Sequence, residues 1–276
     1  MIAVWRREAR PEPGHEARHE AAPEAARQGR REARLDIRWV VAGAWILALA
    51  AELTGRGSFF HHDQLIEGGL PRPAAFLLFL VAWQAMIAAM MLPSALPLIR
   101  LFNRASAAQP RARAARVAFV ASYALVWTGF GGAAFLFDTL VHATVDASPW
   151  LLAHGYLIGG GTLIAAGVFQ FSPLKEACLR QCRNPGAFLL RHYRRGVGRA
   201  FATGLWHGVF CLGCCWALML VAFGAGVANL IWMAALTLMM TLEKRATYGP
   251  LLARVAGAWM ALVGLVIVAQ PLWAVG

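Results

Sequence analysis

Charge is scarce in this chain: charged residues make up 14% of its 276 positions, against roughly 25% in a soluble domain. With 59% apolar residues and a mean hydropathy of +0.54, that shortage argues against an ordinary soluble fold. Acids are the scarcer sign, 14 against 26 Lys and Arg, for a formal net charge of +12. In a soluble protein such an excess would point to nucleic acid. Here the basic residues lie between apolar blocks, so topology accounts for them and no nucleic-acid partner is expected. The five cysteines are odd in number and tightly clustered, which does not read as an extracellular disulfide framework. Reduced thiols are expected. The sequence has no phosphate loop, no Ser/His/Asp nucleophile arrangement and no soluble catalytic domain. No cleavable signal is expected either, because the first apolar block follows a long charged tail and lacks a small-residue cleavage site.

What the chain does contain is long apolar blocks. Residues 1–35 are rich in Arg, Glu, Ala and Pro and read as a disordered cytoplasmic tail, too poor in large apolar side chains to offset ordering entropy. Residues 36–276 read as a transmembrane helical domain. Trp39–Leu53 is its first and shortest block. Ala74–Leu101, Val117–Val141 and Trp150–Phe171 are long enough for a hydrocarbon core of about 30 Å. Gly204–Phe223 and Val227–Leu242 form a pair joined by Gly224-Ala225-Gly226, and Leu251–Leu272 closes the chain. The fold class is therefore all-α, a polytopic transmembrane helical bundle of about seven spans, or six if Trp39–Leu53 does not cross.

Loop charge orients the bundle. Arg100 to Arg116 holds five arginines and no acid, and Lys175 to Arg199 holds seven basic residues against Glu176. These stretches fall on one side with the N-terminal tail and the Glu243–Arg254 loop, whereas the opposite loops are close to neutral. The positive-inside rule then puts the N-terminus in the cytoplasm, with the cell inner membrane as the expected location. Gly155/Gly159 and Gly204/Gly208 have the four-residue spacing of close helix packing in lipid.

Three constellations carry metal chemistry. Asp138 and His142 share a helix face at the end of the third span. Ser148-Pro149 reads as an N-cap and first helical position, which puts His154 about one turn inside the next helix. Two imidazoles and a carboxylate suit Cu(II), Zn(II) or non-haem Fe(II), and His61, His62 and Asp63 could add ligands. The competing reading is of interfacial polar residues within reach of water. The second constellation is a stripe of His207, Cys211 and Cys215, with Cys214 beside it and Trp216 and Met219 nearby. Thiolate and thioether favour Cu(I), and Met86, Met90, Met91, Met233, Met239 and Met240 could extend such a path; equally, cysteine and methionine are common buried filler. The third is Cys178 and Cys182, four apart on a helix that Pro173 starts and Ser172 caps. Flanking Lys and Arg would favour thiolate there, which makes a cytoplasmic transfer site; an inert amphipathic elbow is the alternative. Asn229 is expected to bond across helices, and Glu243 and Lys244 to anchor a cytoplasmic helix end.

At these residues the sequence resembles a bacterial family of predicted metal-binding integral membrane proteins, over roughly Trp83 to Lys244. The motifs are Met90-Met91-Leu92-Pro93-Ser94, then Phe169-Gln170-Phe171-Ser172-Pro173-Leu174-Lys175 with Cys178 and Cys182-Arg183-Asn184-Pro185. Cys211-Leu212-Gly213-Cys214-Cys215-Trp216, Asn229-Leu230 and Glu243-Lys244 follow. Ala228 and Phe169 depart from the pattern, which usually has methionine and tyrosine there. The resemblance implies metal binding. Asp138, His142 and His154 are also similar to the ligand set of the copper-bearing C subunit of membrane methane and ammonia monooxygenases. The leading expectation is a membrane protein that handles copper by transport, storage or delivery, with zinc or iron as other metals. It would partner the lipid bilayer, the metal ion and other membrane proteins. Two alternatives stand beside it: a metal-dependent redox or oxygenase-like subunit of a membrane complex, and a non-catalytic assembly scaffold.

Overall fold

A computed structural model describes residues 39–54, 71–224 and 230–274. The N-terminal tail, His61, His62, Asp63, the Gly224–Gly226 link beyond Gly224, and Asn229 lie outside the described residues. All regular structure among the described residues is helical. In chain order the helices are α1 (Trp39–Leu53), α2 (Arg72–Met90), α3 (Leu92–Ala105), α4 (Ala112–Asp146) and α5 (Pro149–Ala153). They continue with α6 (Tyr156–Phe169), α7 (Pro173–Arg183), α8 (Pro185–His192), α9 (Val197–Gly224), α10 (Leu230–Arg245) and α11 (Gly249–Ala274).

Proline sets many of the starts, because its missing N–H costs nothing in the first turn. Pro149 and Pro173 each open a helix behind a serine cap. Ser148 Oγ accepts from Leu151 N, and Ser172 Oγ accepts from Lys175 N at 3.1 Å. Both caps match the sequence reading. Pro93 likewise sits in the first turn of α3, and the long Ala74–Leu101 block breaks just before it, at Met91, into α2 and α3. The Trp150–Phe171 block also breaks, so His154 is not inside a continuous helix but caps the five-residue α5.

Four helices among the described residues, α2, α4, α9 and α11, are long and apolar enough to cross a membrane. A fifth crossing results if α6 and α7, bent by 64° at Gln170–Ser172, count as one broken span. α1 and α10 are shorter than the roughly 20 residues a span needs.

α9 is the hub. It packs most extensively on α4, and also on α6, α7 and α10. Glycine permits the closest of these approaches. A methyl on Gly204 would collide with the Phe119 carbonyl and Ser122 Oγ, and one on Gly208 would lie 2.9 Å from Val126 Cβ. The Gly155/Gly159 expectation fails: neither has a neighbour where its Cβ would be. Instead Gly160 and Gly167 meet Gly264 and Gly257 of α11, one register position away. Fifty-six per cent of α9's apolar window is buried in the fold, against 22% for α11, so α9 is central and α11 peripheral. Outward-facing apolar side chains such as Leu77, Val81, Leu136 and Phe137 cover much of the rest of the surface.

Candidate metal centre

The sequence placed Cys178 and Cys182 apart from the α9 cysteines. The fold joins them. α7 packs along α9, and Gly213 makes room: its missing Cβ would lie 2.6 Å from Cys178 Sγ. Cys182 Sγ then comes 3.9 Å from Cys214 Sγ. On the next face of α9, Cys215 Sγ lies 3.9 Å from Met91 Sδ, at the α2–α3 break. Cys214 and Cys215 also donate to the Cys211 carbonyl, at 3.1 and 2.8 Å, which orients both thiols on the helix.

Two polar groups converge on Cys211. Tyr123 Oη from α4 is 3.3 Å from its sulfur. Lys244 Nζ from α10 is also at 3.3 Å, and donates to Ser94 Oγ at 3.0 Å. All of these side chains except the partly exposed Cys182 are buried. The buried ammonium beside Cys211 would offset the net negative charge of a monovalent ion held by two thiolates.

Lys244 is thus part of the centre, not the interfacial anchor expected from sequence. Glu243 is buried as well: its Oε2 accepts from Lys175 Nζ at 2.8 Å, and Lys175 also donates to Gln170 Oε1. Arg183 donates to the Glu243 carbonyl. Lys175 and the nearby arginines were expected to activate Cys178 and Cys182. Lys175 and Arg183 are instead engaged at Glu243, and Arg180 faces Glu176 at the surface.

His207 lies on the same stripe as Cys211, but its ring is stacked among aromatic side chains. Its centroid is 5.3 Å from Tyr123 and 6.2 Å from Phe119, with Phe188 edge-on at 5.7 Å. Its Nε2 is buried and makes no hydrogen bond among the described residues. Trp216 packs on Phe169, and Met86, Met90, Met219, Met233 and Met240 are buried in the general core.

The outer constellation is looser. His142 Nδ1 lies 3.0 Å from the Asp138 carbonyl and 3.5 Å from Asp138 Oδ2, so these two share a helix face as expected. His154 Nδ1 pairs with the Trp150 carbonyl at 2.7 Å, and its ring stacks on Trp150 at 4.5 Å. Among the described residues, no three or more His, Cys, Asp or Glu side chains already surround a common point as metal ligands. The thiols therefore offer close pairs and not a finished tetrahedral cage, the geometry structural zinc requires.

The family model described as PpoB2, copper chaperone, matches residues 80–267. The chain belongs to this family. No curated protein and no solved structure matches the chain. The copper chaperone match spans all five cysteines, Met91, Tyr123 and Lys244, and leaves α1 outside.

Sequence reasoning named the cysteines and Met91 but missed Tyr123 and the partnership of Ser94 with Lys244. The signal for the last two was present: Met90-Met91-Leu92-Pro93-Ser94 and Glu243-Lys244 both stood in the resemblance motifs. Their meeting across 150 positions of sequence is a tertiary fact.

Proposed function

We propose that this protein is an integral membrane copper chaperone that takes Cu(I) as cargo on Cys182, Cys211 and Cys214. Cys215 and Met91 form an adjoining soft station. The observation that carries the reading is the approach of the Cys182 thiol of α7 to the Cys214 thiol of α9, one helical turn from Cys211 and its Lys244 partner. Two metal–sulfur bonds of about 2.3 Å, the length of a zinc–thiolate bond, span at most about 4.6 Å. The 3.9 Å between Cys182 and Cys214 accommodates a bent sulfur–metal–sulfur unit. Thiolate and thioether donors select Cu(I) over harder ions, and a charge of −1 on a Cu(I) dithiolate is matched by the single positive charge of Lys244.

Membrane insertion is supported by the apolar helices and by the wide apolar outer surface, which suits lipid. The arginine distribution supports basic loops in the cytoplasm, with Asp138, His142 and His154 at the opposite face. In this reading Asp138 and His142 are an outer receiving pair, and Cys178 lines the route from α7.

The test is titration of the detergent-purified full chain with Cu(I) against a competing chelator. The native chain should bind tightly, and Cys211→Ser with Cys214→Ser should weaken binding more than about 100-fold, beyond the loss typical of supporting residues. Unchanged affinity in the double variant would remove the thiol centre from copper handling.

A further inference from the structure

A cavity of about 140 Å³ opens between α7 and the start of α11. Lys175, Arg180, Arg183 and Arg254 line it, with Glu176 as the one carboxylate in the wall. Lys175 and Arg183 are tied to Glu243, but Arg180 and Arg254 are exposed. The N-terminus of α7, at Ser172, lines the same cavity, so the positive end of an 11-residue helix adds to the field. A second observation points to a ligand. Gln170 lines the cavity and is 95% buried, and its Oε1 accepts from Lys175. Its Nε2 donor has no hydrogen-bond partner among the described residues. A buried donor left without a partner is costly, and a ligand oxygen would satisfy it.

The surroundings are apolar. Phe171 and Leu174 are more than half exposed on the α6–α7 bend, and Leu251 and Val255 are more than half exposed on α11 beside Arg254. A phosphate alone would use the cations and waste this surface. An amphiphile would use both.

We infer that this cavity binds the phosphate of an anionic phospholipid headgroup, with the acyl chains lying along the exposed apolar flanks of α7 and α11. Basic pockets between membrane helices are suited to such headgroups. The site does not depend on the copper reading, since none of its charged residues touches a thiol.

The experiment is native mass spectrometry of the full chain in neutral detergent, titrated in parallel with phosphatidylglycerol, phosphatidylcholine and inorganic phosphate. Phosphatidylglycerol should bind at least about tenfold more tightly than phosphatidylcholine, and millimolar phosphate should not displace it. Arg180→Gln with Arg254→Gln changes two exposed side chains and should abolish that preference. Arg104→Gln with Arg113→Gln removes as much charge elsewhere and should leave it intact. Equal binding of the two lipids, displacement by inorganic phosphate, or equal loss in both double variants would each overturn the inference.

Discussion

The thiol centre draws side chains from α3, α4, α7, α9 and α10, with Met91 at the α2–α3 break, and almost all of it is buried. The Asp138–His142 pair, by contrast, lies within one turn of α4, and the imidazole is 36% exposed. A local i, i+4 pair needs only a helix to form. A site assembled from five helices needs the whole bundle, and its burial shields soft ligands that are open to oxidation when exposed. The difference separates a place where an ion could be met from a place where it could be kept.

The largest effect expected on the inner region is one of stability. Lys175→Met would leave the Glu243 carboxylate buried without its partner, at a cost of about 3–5 kcal/mol. Thermal unfolding in detergent should show it as a clear fall in Tm, and Lys175→Met with Glu243→Leu should recover most of the loss. No fall in the single variant would mean that the Lys175–Glu243 pair does not hold α7 against α10.

Next in size is the charge beside Cys211. Lys244→Met should weaken Cu(I) binding about 10- to 100-fold, as expected for a residue that supports a ligand without being one. A chelator competition assay reads this directly. Unaltered affinity would show that the ammonium does not stabilise the thiolate.

The smallest effect on the thiol centre should come from the outer region. His142→Ala with His154→Ala should change Cu(I) affinity by about twofold or less, because distant sites act independently. The same variant should lose Cu(II) bound at the outer face if Asp138 and His142 receive metal; unchanged Cu(II) stoichiometry would remove that station. A large loss of Cu(I) affinity instead would join the two regions into one system.

The apolar blocks revealed α4, α6, α9 and α11 because a helix in a bundle of this kind is apolar all round. Ser148 and Ser172 were legible as caps because a cap needs only four consecutive residues. The break at Met91 was less legible: Pro93 and Pro97 both lie in the block, and only the first coincides with a new helix start. The glycine register on α6 was misread because helical spacing shows which residues share a face, not which face meets α11. Lys244 was missed for a related reason. A charged residue at a helix end ordinarily marks an interface, and only tertiary packing reveals that Ser94 and Cys211 receive it.

X-ray absorption at the copper edge of the Cu(I)-loaded full chain tests the central claim most directly. Sulfur neighbours alone, lost when Cys211 and Cys214 become serine, are the predicted result. Nitrogen or oxygen neighbours that survive those substitutions would place the metal elsewhere and contradict the account.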